Sequence, residues 1–322
     1  MSEILKVALI GAGGMANSVH YPSLASFPDV SLEAICDLDE TRLRETADRF
    51  HIARTFRNYE EMLDAVDADA VYAIGQPHLM YDVWLGCLGR GCNLFIEKPP
   101  GITLHQTRAL AYLAEKNGSL TQVGFQRRCC PLLVNLRDEC LKRGPIVHAV
   151  CQFYKCQPEP FLGARDHMMD DGVHAIDTLR WICGGEIISI QSVTRAVNTP
   201  DTNFLTAAIQ FNNGATAILM NSWTSGRRVF RVEMHSHEIC AEADPETVGH
   251  LYADGDVAGV EFDTRTVARS DDLHVFGGFQ AKSREFIDCI HEGRLPGSNL
   301  ADAVKTMEAA ETILAQGLLG NR

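Results

Sequence analysis

A chain of 322 residues with 46% hydrophobic side chains can bury a large core and is long enough for two domains. Its formal charge of −13 argues against general affinity for nucleic acid or anionic membrane, both of which attract positive charge. No run of 18 apolar residues occurs, and "MSEILKVALIG" lacks the basic, apolar and small-residue order of a leader, so a cytoplasmic protein without a membrane span is expected.

The eleven cysteines are scattered through apolar segments and show no C-x-x-C spacing, which suits buried thiols in a reducing compartment. No metal site is expected. His167, Asp170 and His174 are residue types that bind zinc, but their spacing matches no zinc motif.

In chain order, "LKVALI" (5–10) predicts a strand that runs into "GAGGMA" (11–16), a G-x-G-x-x-A turn. In such a turn Gly11 makes the tight bend and Gly13 lets backbone approach a pyrophosphate. Ala16 lets helix and strand pack closely, while Gly14 and Met15 lie on the same phosphate-facing turn. "SLEAICD" (31–37) predicts a second strand ending on Asp37, where a dinucleotide fold places the carboxylate that accepts from ribose hydroxyls. Asp37 could equally cap the helix "ETRLRETADRF". A carboxylate there repels a 2′-phosphate, so NAD is favoured over NADP, with Arg42 placed to blur the preference.

"ADAVYAIG" (68–75), "NLFIEK" and "LTQVGF" (120–125) predict further buried strands, separated by helices that Gly91 and Gly118 close. This alternation predicts a doubly wound parallel sheet with ligands at the carboxyl ends of its strands, where Glu97 and Lys98 fall. After Gly144 and Pro145 the rhythm changes. "IVHAVCQFYK", "IISIQSVTRAV", "FLTAAIQF", "ATAILMNSW" and "VFRVEMHS" predict a largely antiparallel sheet with one face on helices and one open. The expected organisation is therefore α/β: a dinucleotide domain over 1–122 and an α+β domain over 123–322, its C-terminal helix free to return to the first.

"HMMDDGVHAIDTLRWICGG" places Asp170, His174 and Asp177 at i, i+4 and i+7, on one helical face. A purely structural reading pairs Asp177 with Arg180 and makes His174 an interior histidine.

Taken in order, "GAGGMA", Asp37, "FIEKP", "VGFQRR" and "DDGVHAID" resemble, over essentially the full length, the Gfo/Idh/MocA family of glucose-fructose oxidoreductase and inositol dehydrogenase type. The resemblance implies a catalytic set of Lys98, Asp170 and His174 acting with NAD, NADP being possible, and a cofactor surface that includes Gln76, Pro77, Glu97 and Lys98. Substrate contacts implied are Lys98, Arg127, Arg165, His167, Asp170 and His174. A sugar or polyol is the implied partner, and the open sheet the implied face of a homodimer or homotetramer. "GQPHLM" and "GARDHMM" depart from the family pattern, so substrate identity transfers least.

In the expected reaction His174 takes the hydroxyl proton while Lys98 hydrogen-bonds the developing alkoxide, although the two roles could be exchanged. Two other readings are a lyase that oxidises its sugar only transiently, and a sensor that keeps the fold without the chemistry.

Overall fold

The computed structural model describes residues 4–157, 159–160 and 166–320. Arg165, one of the expected substrate contacts, lies outside them. The chain divides into two units. The first runs to Gly124 and takes in Leu273–Val275 and Phe279–Val304; the second holds Phe125–Asp272, Phe276–Gly278 and the residues from Lys305 on. Two domains were expected, with a C-terminal helix returning to the first; the stretch Phe279–Val304 is counted with the first unit.

The first unit is built on β1 (Leu5–Ile10), β2 (Val30–Cys36), β3 (Arg54–Phe56), β4 (Ala70–Ala73), β5 (Leu94–Ile96) and β6 (Thr121–Val123). All pairings are parallel, in the order β3-β2-β1-β4-β5-β6. Every residue of β4, β5 and β6 is buried, as in strands covered on both faces. The order reverses between β1 and β4, which opens a crevice at their carboxyl ends where ligands bind in such sheets. The helix Phe279–Glu292 packs on Tyr21–Ala25, with Phe286 and Ile287 in the same core as Leu9, Tyr72 and Phe95. Trp84, fully buried on the helix Pro77–Gly89, donates its indole N–H to Ala73 O at 3.0 Å.

The second unit holds an eight-stranded sheet of β7 (His148–Cys156), β8 (Ile187–Arg195), β9 (Phe204–Phe211), β10 (Thr216–Ser222), β11 (Thr224–Ser236), β12 (Ile239–Asp244), β13 (Val248–Ala253) and β14 (Val260–Asp263). Its order is β14-β13-β12-β11-β7-β10-β9-β8, antiparallel except for the parallel pair β7/β10. Alternate residues such as Ala149, Cys151, Leu219, Val232 and Met234 are buried, on strands packed by Pro131–Leu141 and Val173–Cys183. Burial pushes the thiol of Cys151 up to about 12, which keeps it protonated and inert.

One buried ion pair joins the elements beneath this sheet. Arg128 donates to both oxygens of Asp177, from Nε at 2.8 Å and from Nη2 at 2.5 Å, and Thr306 Oγ1 donates to Oδ1 at 3.2 Å. Arg180, the expected partner, stands farther off at 3.9 Å. Asp177→Ala removes the carboxylate that compensates this interior guanidinium and should destabilise the protein by about 3–5 kcal/mol in urea unfolding. A loss below about 1 kcal/mol would show the pair to be dispensable.

Candidate functional site

Because β1 to β6 run parallel, the residues that follow each strand share one edge of the first sheet. Gly11 leaves β1 with φ +103°, and a Cβ there would stand 2.0 Å from Ile74 O. The fold itself therefore demands this glycine. At Gly13 and Gly14 a Cβ would meet nothing within 4 Å, so these two are not required by packing inside the chain. They leave open backbone at the start of a helical run, which is what a bound phosphate needs.

Asp37 closes the other side of that loop. Ala12 N–H donates to Asp37 Oδ2 at 2.6 Å, and Asp39 N–H donates to Oδ1 at 2.8 Å. The helix Glu40–Phe50 is capped by Asp39, which accepts from Thr41 and Arg42 N–H, so Asp37 is not its cap. Arg42 Nε lies 3.1 Å from Asp39 Oδ2, which gives this cation a carboxylate partner on its own helix. Ala16 is fully buried at the start of a π-turn, Ala16–His20. Met15 is half-exposed beside it; Gln76 is exposed, and Pro77 opens the helix that follows β4. Open glycine backbone together with an acid at the end of β2 fits a dinucleotide.

At the end of β5, Glu97 is buried while Lys98 is half-exposed, and the Lys98–Pro99 peptide is cis. Glu97 Oε1 lies 2.9 Å from His20 Nε2. His20 went unnoticed in the sequence, where the loop motif ends at Ala16 and a single histidine on an apolar helix reads as packing.

In the second unit, Asp170 falls in the π-turn Met168–Gly172 and His174 in the first turn of the helix Val173–Cys183. From Asp166 to Arg180 every side chain is buried except these two. The ring of Phe125 meets His174 edge-on at 6.4 Å.

The other polar residues nearby turn to partners inside the unit. Asp171 pairs with Lys155. His167, 1% exposed, has Nδ1 2.6 Å from Asp201 Oδ2 and packs on Trp223. Arg127 lies over the Phe230 ring at 4.4 Å and donates to Glu246 at 3.0 Å. Burial alone would raise the Glu246 carboxyl, but hydrogen bonds from Arg228 and the charges of Arg127 and Arg228 outweigh it and hold it at about 2. The structure thus gives Arg127 and His167, both expected at the substrate, firm protein partners. Among the described residues no helix is long and apolar enough to cross a membrane.

Comparison with known proteins agrees with this architecture. The family model GFO_IDH_MocA, described as an oxidoreductase family with an NAD-binding Rossmann fold, matches residues 5–125. The GFO/IDH/MocA C-terminal domain model matches residues 143–239. The chain is 23% identical over 332 residues to scyllo-inositol 2-dehydrogenase (NAD(+)) of Bacillus subtilis (strain 168), covering 96% of this chain and 92% of that protein. It superposes on a crystal structure of a dehydrogenase from Chromobacterium violaceum with a TM-score of 0.89 and 24% identity, covering 99% of this chain and 98% of that one. A levoglucosan dehydrogenase in complex with NADH and L-sorbose gives a TM-score of 0.84 with 17% identity, over 99% and 98% of the two chains.

The two kinds of glycine separate in one titration series with NADH. Gly13→Leu should abolish NADH fluorescence enhancement with little change in melting temperature, whereas Gly11→Ala should lose both binding and several degrees of melting temperature. In the same series Asp37→Ala should raise the affinity for NADPH relative to NADH by about tenfold or more. An unchanged ratio would remove Asp37 from the ribose.

Proposed function

The chain belongs to the Gfo/Idh/MocA oxidoreductase family, and from that membership we propose that it oxidises a secondary alcohol of a sugar, an inositol or a related polyol with NAD. The observation that supports this reading is that Asp170 and His174 alone are partly exposed in an otherwise buried stretch. Burying a helix this thoroughly while two adjacent turns keep ionisable groups at the surface is expected where those groups meet a ligand.

When bound, NAD supplies the acceptor for the hydride. The chain supplies placement and proton management. His174 takes the hydroxyl proton as the carbon is oxidised, an imidazole being the side chain that exchanges protons near neutral pH. Lys98 donates a hydrogen bond to the same oxygen and stabilises its developing negative charge. Asp170 accepts from a neighbouring hydroxyl of the substrate. In the reverse direction the same groups protonate the oxygen of a ketone.

A screen of inositols, sugars and sugar acids for NADH appearance identifies the substrate. With it, Lys98→Ala and His174→Ala should each lower kcat by about 10²- to 10⁴-fold while NADH still binds. Near-normal turnover of either variant would remove that residue from the chemistry. Product formation without net NADH would point instead to transient oxidation.

The reading extends to assembly through the uncovered face of the second sheet, as a homodimer or homotetramer. Val193, Met220, Ile218 and Val150 stand in cross-strand positions on this face and leave apolar surface there. Ile218→Glu should shift the protein to monomer in sedimentation velocity, and an unchanged sedimentation coefficient would move the interface elsewhere.

A further inference from the structure

The Glu97 carboxylate is confined from three directions. His20 Nε2 stands 2.9 Å from its Oε1. The N–H of Lys98 donates to Oε2 at 3.2 Å. Gly124 passes so close that a Cβ would lie 2.7 Å from Oε1 and 2.9 Å from Cδ, so any larger residue there would push the carboxylate aside. The His20 ring is 1% exposed and meets the rings of Phe95, Tyr72 and Phe279 edge-on at 5.2, 6.1 and 6.3 Å. Its Nδ1 has no hydrogen-bond partner among the described residues.

Among the described residues, the hydrogen-bond partner of this enclosed histidine is Glu97. A buried carboxylate needs strong donors, and the backbone N–H of Lys98 is a long one. His20 supplies the short contact. Glu97 in turn grips the N–H of the residue beside it in the chain, which is Lys98.

We infer that His20 is a positioning residue: through Glu97 it fixes the backbone from which Lys98 extends, and it ties that backbone to the helix that follows the glycine loop. The inference rests on the reading of Lys98 as the donor to the reacting oxygen. Its geometry stands without the substrate, and so does its test.

Competitive acetylation with trace acetic anhydride, followed by peptide mass spectrometry across pH, reports the reactivity of Lys98 relative to the exposed Lys116 in the same sample. His20→Leu, which keeps bulk and removes the polar contact, should change the Lys98/Lys116 ratio several-fold with NADH affinity retained. His20→Gln, whose amide can donate from a similar position, should return the ratio towards wild type. Glu97→Gln provides a second route to the same change should His20→Leu fold poorly. With an identified substrate, His20→Leu should lower kcat about 10- to 100-fold at nearly constant KM, the signature of a misplaced rather than missing group.

A Lys98/Lys116 ratio that is the same in wild type, His20→Leu and Glu97→Gln overturns the inference, as does His20→Gln behaving no better than His20→Leu. If Lys98→Ala kept full turnover, the catalytic reading of Lys98 would fail, while the labelling would still decide whether His20 positions it.

Discussion

Gly11 has no room for a side chain, and much of the first unit is arranged around that fact. β1 and β4 are hydrogen-bonded neighbours, with Ile74 N–H donating to Ile10 O at 2.8 Å, and a Cβ on Gly11 would stand 2.0 Å from Ile74 O. The chain can turn there only at positive φ. The turn is then tied down from both sides. Gly11 N–H donates to Cys36 O at 2.8 Å, Ala12 N–H reaches Asp37, and Tyr21 Oη donates back to Gly11 O at 3.1 Å. One steric exclusion at the point of strand reversal thus sets the loop, the acid at its side and the direction of the helix behind it. A preorganised loop of this kind loses little freedom when it binds an anion.

A π-turn occurs in each unit, Ala16–His20 after the glycine loop of the first and Met168–Gly172 in the second, where Asp170 lies. A π-turn inserts a residue into the helical repeat, and such insertions are common at functional positions. In the first, the turn ends on His20, with its ring on Glu97. In the second, it leaves Asp170 partly exposed and Asp171 buried, with Asp171 paired to Lys155. At Gly172 a Cβ would lie 2.4 Å from Met168 Sδ and 3.0 Å from Asn221 Nδ2, so a side chain there would displace both. The local packing and the irregular turn therefore belong together.

The first unit was legible, apart from the short and mostly exposed β3, because its information is local. Buried parallel strands are apolar runs, their helices repeat at the helical period, and the glycine turn and the acid after β2 stand at fixed spacing. In the second unit the five longest strands were legible for the same reason, but β12, β13 and β14 were not. Their inward positions include Ala241, Ala243 and Gly249, which carry little hydrophobic signal, between polar residues such as Glu242 and His250. Gly249 is small because Leu136 needs its place: a Cβ there would lie 2.6 Å from Leu136 Cδ1. That reason lies more than a hundred residues away in the chain, beyond any window of periodicity.

Long-range pairing also shows what local sequence leaves out about the charges. Arg127 and His167 were expected at a substrate because they are basic and lie near the motif residues in sequence. In the fold each meets a carboxylate that no local pattern announces, Glu246 for the one and Asp201 for the other. Arg128 likewise meets Asp177. A charge taken into the interior must find a counter-charge, because its desolvation otherwise costs several kcal/mol. That rule makes the paired, buried ions of the second unit parts of its architecture. It also gives weight to Asp170 and His174, which the folding of the chain did not require to be buried. In a helix that hides almost everything else, ionisable groups left partly exposed are the ones whose solvation would change on meeting a ligand.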